Sequence, residues 1–226
     1  MSIPLYSRVD GCDVAHPLLL KLHAIEEKQQ RFSDVLFTLV RALETKDHYL
    51  YEHSYRVMHF TLKFAQSLNL APGIVSTFTL GGLFHDLGKI SLSNTLLHKC
   101  SPLTDQEFAR MREHPVRGAL ILNRMAILRN AVSIVHCHHE WWNGGGYPNG
   151  IRGEAIPLGA RMVAIADAFE VMTSPNRPYR QPSTDVEALA ELRRCAGTQF
   201  DPTLVPLFCT NLHSPCLEAQ AHSLIN

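Results

Sequence analysis

The residues most suited to chemistry are five histidines and two aspartates in the central part of the sequence. They occur as two adjacent pairs and three single residues, namely His85-Asp86, His138-His139, His53, His114 and Asp167. Imidazole nitrogens are ligands for Fe, Ni, Cu and Zn, and a carboxylate can bridge two such ions. Two metal ions held close together activate water and stabilise the in-line displacement that cleaves a phosphodiester. The set therefore predicts a two-metal hydrolytic site.

The elements that must position these residues are predicted to be helices, because apolar residues recur at helical spacing. The predicted helices that follow residue 50 cover about residues 51–68, 73–87, 105–123, 126–141, 157–173, 184–195 and 202–211. Both adjacent pairs fall near helix ends, where consecutive side chains can turn towards one point. Gly88 is interpreted as the break after the first pair. No strand-like alternation competes, so the chain is predicted to be all-α.

A long N-terminal helix is predicted for residues 16–46. Its apolar positions follow a period of 3.5 residues, which is typical of a coiled-coil seam; they are Leu18, Leu22, Ile25, Phe32, Leu36, Leu39 and Leu43. The pattern fits dimerisation or docking of a regulatory protein, and it fits equally well a helix that packs on its own domain. Residues 1–15 and 214–226 are predicted to be a loosely ordered N-terminus and a C-terminal tail.

The composition excludes several classes of partner. The chain has 21 basic and 21 acidic residues, so no overall field attracts a nucleic-acid polymer or an anionic membrane. No run of about 18 apolar residues is present, and no membrane span is predicted. Six cysteines without any C-x-x-C pair are interpreted as reduced thiols, and the protein is predicted to be cytoplasmic.

Several of these residues belong to longer motifs. The stretch from His85 to Ile90 resembles the HD signature of metal-dependent phosphohydrolases, and His138-His139-Glu140 followed by residues 143–148 resembles the second signature of the HD-GYP subfamily. Further residues resemble the family's pattern and occur in the same order along the chain: Tyr49, His53-Ser54, Arg56-Val57, Glu113-His114-Pro115, Gly118, Ile156-Pro157, Arg161, Ala166-Asp167 and Arg177-Pro178-Tyr179-Arg180. The resemblance covers about residues 45 to 211. It implies an HD-superfamily helical bundle, with an HD-GYP catalytic domain at residues 47–213.

The resemblance also implies a ligand set for two divalent transition-metal ions, with Fe or Mn expected first and Ni or Zn also accepted. One ion would be held by His53, His85, Asp86 and Asp167, and the other by Asp86, His114, His138 and His139. Asp86 would bridge the ions, and a hydroxide between them would be the nucleophile. Tyr49 stands where some members carry a glutamate for a third ion, so two ions are expected.

Four further residues are implied to contact the substrate: Lys89, Tyr147, Arg177 and Arg180. Lys89 would join Asp86 as a catalytic residue, because its ammonium could offset charge that develops on the scissile phosphate. The two arginines could bind phosphate or a guanine edge. On the residues alone, Lys89 could instead be an exposed helix-end lysine, Tyr147 part of a turn, and the arginines part of a solvated loop.

The function implied by the resemblance is hydrolysis of cyclic di-GMP to linear pGpG, and a second cleavage to GMP is left open. Two alternatives remain. One is a hydrolase of another cyclic dinucleotide or nucleotide, and the other is a signalling module that binds its ligand without turnover. The expected partner is a small cyclic dinucleotide, with a homodimer or a regulatory protein bound through the N-terminal helix.

Overall fold

The computed structural model describes residues 15–175 and 181–212, with side chains from residue 27 onward. These residues form ten α-helices: α1 Ala15–Lys46, α2 His48–Ser67, α3 Pro72–Phe84, α4 Asn94–Leu97, α5 Asp105–Met111, α6 His114–Asn123, α7 Val132–Cys137, α8 Leu158–Thr173, α9 Asp185–Arg194 and α10 Leu204–Asn211. Three short 3-10 helices cover Leu87–Ser91, Ala126–Ala131 and Gly153–Ala155. No strand occurs in this part of the chain beyond one isolated bridge between Ala196 and Phe200. The all-α prediction is confirmed.

The long N-terminal helix predicted for residues 16–46 is confirmed as α1, which is 32 residues long. The chain divides into two compact units between Arg41 and Ala42, within this helix. In the larger unit, Leu43 is fully buried, so the last residue of the predicted seam belongs to a core. Dimerisation or docking through α1 stays a prediction. The predictions for residues 1–14 and 214–226 lie outside the described residues.

The core of the larger unit is built around α8. This helix is apolar on most of its circumference, as expected for a helix that neighbours cover on several sides. Phe169 of this helix makes edge-on ring contacts with Phe60 of α2 at 5.2 Å and with Phe208 of α10 at 5.5 Å. Burial of each such ring contributes about 1.5–3 kcal/mol to folding. The same packing fixes the polar residues that α8 carries beside Phe169.

The predicted helix over residues 73–87 ends earlier, at Phe84. The chain then tightens into the 3-10 helix Leu87–Ser91, which contains Gly88. Gly88 is therefore not the break after a helix, and that interpretation is wrong. A Cβ at Gly88 would overlap the carbonyl oxygen of His114, so the glycine lets this segment lie directly on α6. The close approach brings Asp86 to the start of α6.

Two further predicted helices are interrupted. The helix predicted over 105–123 is divided into α5 and α6 at Arg112 and Glu113, so that His114 becomes the first residue of α6. The helix predicted over 126–141 begins as the 3-10 segment Ala126–Ala131, continues as α7 and ends at Cys137. Each interruption leaves a histidine at a helix end. In the described ranges, no helix combines the length and apolar character needed to cross a membrane.

Candidate metal centre

The structure brings all seven predicted metal ligands to one buried region. His53 comes from α2, His85 and Asp86 follow α3, His114 begins α6, His138 and His139 follow α7, and Asp167 lies on α8. His53, His85 and Asp86 form a first cluster, in which the potential ligand atoms lie within 4.8 Å of one another. Asp86, His114, His138 and His139 form a second cluster that meets the same limit. Asp86 is thus shared by both clusters.

Asp167 lies beside the first cluster. Its Oδ1 is 3.2 Å from Nε2 of His53 and 3.8 Å from Nε2 of His85. A carboxylate at this position could complete a four-residue ligand set with His53, His85 and Asp86.

Three of the histidines are oriented by backbone carbonyl groups one turn earlier in the chain. Nδ1 of His85 donates to the Gly82 carbonyl at 2.7 Å, and Nδ1 of His114 donates to the Met111 carbonyl at 2.8 Å. His138 uses the Val135 carbonyl in the same way, at 2.8 Å. A carbonyl oxygen only accepts, so Nδ1 carries the proton and Nε2 keeps a free lone pair. Hydrogen bonds of this kind fix the tautomer of metal-binding histidines.

The Nε2 nitrogens of two histidine pairs face each other inside the clusters. Nε2 of His114 lies 3.2 Å from Nε2 of His138, and the same distance separates Nε2 of His53 from Nε2 of His85. In His114 and His138 the ring proton is on Nδ1, so the lone pairs of their two Nε2 atoms face each other without a hydrogen between them. A cation is the species that such an arrangement favours.

Asp86 supplies the second indication of a cation site. Its carboxylate is 1% exposed, and Oδ1 is buried without a hydrogen-bond partner. Nε2 of His114 lies 3.1 Å from this oxygen, and in the neutral tautomer with the proton on Nδ1 this nitrogen has no hydrogen to donate. Burial opposes ionisation of Asp86, yet Lys89 and His85 hold its pKa well below the usual value. An ionised, buried and unpartnered oxygen beside histidine lone pairs fits a divalent metal ion.

Glu170 was missed by the sequence analysis. Its Oε2 lies 2.5 Å from Nδ1 of His53, where the other histidines have a carbonyl, and its Oε1 accepts from Nε of Arg56 at 2.6 Å. Arg56 also donates to Ser174 at 3.2 Å. Glu170 is 1% exposed and lies three residues after Asp167, on the same side of α8. That Asp-x-x-Glu spacing is the signal that could have revealed it.

The pKa of His53 is shifted in the opposite direction from those of His138 and His139. Burial lowers the pKa of His53, but hydrogen bonds to Asp167, Asp86 and Glu170 raise it well above the usual value. In the second cluster, burial and then neighbouring histidines lower the pKa of His138 well below its usual value. The same two causes lower the pKa of His139 to about 3. His138 and His139 are therefore neutral near pH 7, the form that binds metal ions.

The glycine-rich loop of residues 143–148 folds back on the second cluster. The amide of Tyr147 donates to the His139 carbonyl at 3.1 Å, and the two rings stack with centroids 4.7 Å apart. A Cβ at Gly146 would overlap that carbonyl and the Trp141 amide, so the loop needs glycine here. The guanidinium of Arg112 lies over the Tyr147 ring at 4.5 Å. Tyr147, predicted to contact the substrate, is thus placed beside a potential metal ligand.

The other predicted substrate residues have different outcomes. Nζ of Lys89 donates to Oδ2 of Asp86 at 2.6 Å, so Lys89 lies at the shared carboxylate and is not an exposed helix-end lysine. Burial lowers the pKa of Lys89, but Asp86 raises it above the usual value, and the side chain is an ammonium. Arg177 and Arg180 lie outside the described residues.

A cavity of about 340 Å³ adjoins the centre. Its lining includes His138, His139 and Asp167, together with Met172 of α8 and Phe200, which precedes α10. The cavity therefore joins potential metal ligands to a partly apolar wall, as expected for a site that holds a small organic molecule.

The fold and the clusters together define a class, the all-helical domains whose buried histidines and aspartates are arranged for divalent metal ions. Residues 38–204 match the family described as HD domain, and the chain belongs to this family. Membership implies a dependence on divalent metal ions, which the two clusters could hold.

Named relatives extend the comparison. A cyclic di-GMP phosphodiesterase of Pseudomonas aeruginosa is 36% identical over 197 residues, which cover 87% of this chain and 47% of the relative. A 3'3'-cGAMP-specific phosphodiesterase of Vibrio cholerae is 32% identical over 188 residues, which cover 82% of this chain and 36% of the relative. The chain therefore spans about half the length, or less, of these relatives.

A solved structure shares the fold. It is a cyclic GMP-AMP specific phosphodiesterase of Vibrio cholerae, with a TM-score of 0.63 and 20% sequence identity over 86% of this chain and 53% of that one. At this identity the likeness shows the common helical fold, and it confirms the fold that the HD motifs predicted.

Proposed function

We propose that this protein is a metal-dependent phosphodiesterase that hydrolyses cyclic di-GMP to linear pGpG, and then to GMP. One observation carries the proposal: Asp86 is shared by two histidine clusters and has one buried oxygen without a hydrogen-bond partner. Such a carboxylate is suited to bridge two ions. A bound pair of ions would supply activation of water and stabilisation of an in-line displacement at phosphorus.

The residues have separate parts in this proposal. His53, His85, Asp86 and Asp167 would hold one ion, and Asp86, His114, His138 and His139 would hold the second. Fe or Mn is expected first and Ni or Zn next, because imidazole and carboxylate ligands accept all four and availability selects among them.

Lys89 and Tyr147 would act on the substrate. The Lys89 ammonium is already at the shared carboxylate, and it would offset charge that develops on the scissile phosphate. Tyr147 would lie beside the bound dinucleotide, since its ring stacks on His139. Arg177 and Arg180 are proposed as further phosphate or guanine contacts.

The substrate class rests on the relatives and on the cavity. Two relatives are named for enzymes that act on cyclic dinucleotides, one on cyclic di-GMP and one on 3'3'-cGAMP. The cavity beside His139 has room for one nucleobase next to the cluster. Cyclic di-GMP is placed first because the relative at 36% identity carries that name, and 3'3'-cGAMP is the second candidate. A substrate of this kind would place the protein in the cytoplasm.

The test combines metal analysis with product analysis. The protein is purified anaerobically, its metal content is measured, and it is incubated separately with cyclic di-GMP and 3'3'-cGAMP. We expect about two ions per chain and faster release of pGpG than of any product from 3'3'-cGAMP. Faster cleavage of 3'3'-cGAMP would support the second candidate. Binding of cyclic di-GMP by the metal-loaded protein without any product would support the module without turnover.

The N-terminal helix has a separate proposed part. Residues 16–46 would mediate self-association or docking of a regulatory protein and would contribute little to the chemistry. The heptad spacing of the sequence and the 67% exposure of Phe37 support this. Sedimentation of the full chain tests it, since a monomer at micromolar concentration would exclude a dimer formed through this helix.

A further inference from the structure

A row of planar side chains leads from the surface of α5 to the second cluster. Arg112 caps the C-terminal end of α5, and its guanidinium lies 4.5 Å from the centre of the Tyr147 ring. Tyr147 in turn stacks on His139, with ring centroids 4.7 Å apart. Phe108, one turn earlier on α5, lies 5.8 Å from the same guanidinium and is 51% exposed. Arg112 is therefore held next to the cluster by aromatic rings.

The hydrogen-bonding capacity of Arg112 is not used within the described residues. Its side chain is exposed, and no carboxylate in residues 27–175 or 181–212 pairs with it. Arg117, five residues later, is a contrast, because its Nε and Nη2 donate to Glu113 at 3.0 and 2.6 Å. A guanidinium has five N–H donors, and one held over an aromatic ring can still direct its edge to an anion.

We propose that Arg112 binds the non-scissile phosphate of the cyclic dinucleotide. This inference rests on the proposed function, since a cyclic dinucleotide has two phosphodiesters in one ring. While one phosphate is cleaved at the metal clusters and Lys89, the other lies across the ring and carries a second negative charge. Arg112 and His139 both contact the Tyr147 ring, at 4.5 and 4.7 Å from its centroid, so a dinucleotide ring bound at the cluster beside Tyr147 would come within reach of the guanidinium.

The chemistry of Arg112 and Tyr147 fits the binding of a phosphate. Arginine pairs with phosphate through charge-assisted, often bidentate hydrogen bonds, which are stronger than neutral ones. The stack on Tyr147 orients the guanidinium before the substrate arrives, so less side-chain freedom is lost on binding. Arg112 would therefore favour binding of a diphosphate ring more than cleavage of the bond at the metal ions.

The experiment compares two substrates on the metal-loaded full chain. Cyclic di-GMP has the second phosphate, and bis(p-nitrophenyl) phosphate is a diester with only one. The variants are Arg112→Ala and Arg112→Lys, with Arg117→Ala as the control that removes an equal charge from a neighbouring position. Metal content, kcat and KM are measured for each protein, and binding of cyclic di-GMP is measured by calorimetry.

For Arg112→Ala we expect unchanged metal content, KM for cyclic di-GMP raised by roughly ten- to a hundredfold, and kcat changed much less. Turnover of bis(p-nitrophenyl) phosphate should stay within about twofold of wild type. Arg112→Lys should recover part of the loss, and Arg117→Ala should match wild type. Equal losses on both substrates, or no loss on either, would overturn the assignment of Arg112.

The outcomes separate this inference from the proposed function. A wild-type protein that cleaves cyclic di-GMP while Arg112→Ala behaves identically leaves the function standing and removes the inference. A wild-type protein that neither binds nor cleaves cyclic di-GMP removes both. If cyclic di-GMP binds without cleavage, the binding constants of the variants still decide the part of Arg112.

Discussion

Nζ of Lys89 lies 2.6 Å from Oδ2 of Asp86, while Oδ1 of the same carboxylate has no hydrogen-bond partner. The two oxygens of Asp86 thus have different surroundings, one satisfied by a cation of the protein and the other buried and unsatisfied. Lys89 neutralises part of the charge on Asp86 and leaves the free oxygen directed at the histidine lone pairs.

Replacement of Lys89 by alanine should separate catalysis from metal binding. We expect Lys89→Ala to retain metal near the wild-type content, because it supplies no ligand atom, and to lower kcat by roughly ten- to a thousandfold. Metal analysis and kinetics on the same preparation test this. Parallel loss of metal and activity would mean that Lys89 acts only by holding Asp86.

Replacement of Asp86 should affect both clusters at once. We expect Asp86→Ala to lose both ions and all hydrolysis, because the carboxylate belongs to each cluster. His53→Ala is the comparison, since His53 belongs to the first cluster only and should lose less metal. Metal content after gel filtration decides the matter, and two equivalents retained by Asp86→Ala would exclude a bridging carboxylate.

Glu170 should control the affinity of the first cluster. Glu170→Gln keeps the size of the side chain but weakens the acceptor at Nδ1 of His53, so metal affinity at that cluster should fall by roughly ten- to a hundredfold. Ser174→Ala, which removes a different hydrogen-bond partner of Arg56, should have little effect. Titration of metal into each variant in a calorimeter measures the affinity of each cluster. Equal loss at both clusters in Glu170→Gln would point to general unfolding.

A buried ion pair away from the clusters should make the free energy of unfolding fall at acidic pH. Oδ2 of Asp201 lies 2.6 Å from Nη1 of Arg161, and its side chain is fully buried. Burial raises the pKa of Asp201, but hydrogen bonds from Thr203 and Arg161 lower it below the usual value. Because the folded pKa is depressed, this stabilisation is complete above the unfolded pKa of about 4 and is lost as the pH falls further.

Asp201→Asn should therefore lower the free energy of unfolding by about 3 kcal/mol at pH 7, since it leaves Arg161 without its buried partner. The difference from wild type should shrink in urea titrations as the pH is lowered below about 4. A difference that stays constant down to pH 3 would show that the charge of Asp201 is not responsible.

Gly88 should be intolerant of any side chain. A Cβ there would overlap the backbone of His114, so Gly88→Ala should cost about 1–3 kcal/mol or more and displace Asp86 from α6. Gly73→Ala is the control, because no atom lies within 4 Å of its added Cβ. That variant should be neutral or more stable by up to about 1 kcal/mol. Similar urea midpoints for the two variants would contradict this.

The sequence identifies the residues that the structure gathers at the two clusters, because each stands in a local motif. His85-Asp86 and His138-His139 are adjacent, and their positions near helix ends follow from apolar spacing. Glu170 escaped notice because its partner His53 is 117 residues away, and only the packing of α8 on α2 joins them. Arg112 stands in no recognised motif, and its proposed role in phosphate binding depends on the fold of the loop that carries Tyr147.

The helix boundaries show the same limit. The prediction merged α5 with α6, because the apolar pattern continues through Arg112 and Glu113 and Pro115 is tolerated in a first helical turn. Gly88 was interpreted by local rules for helix ends, whereas the contact that requires it comes from His114, which lies 26 positions later. Local spacing does not reveal such long-range contacts.

The seven potential ligands come from five regions of the chain that lie as far apart as His53 and Asp167. Ions bound to them would act as cross-links, closing loops that the unfolded chain leaves open, as disulfides do in other proteins. The metal would then hold the architecture together as well as serve the reaction, and resistance to heat would rise with the concentration of free metal. A chelator would act on such a protein as a mild denaturant.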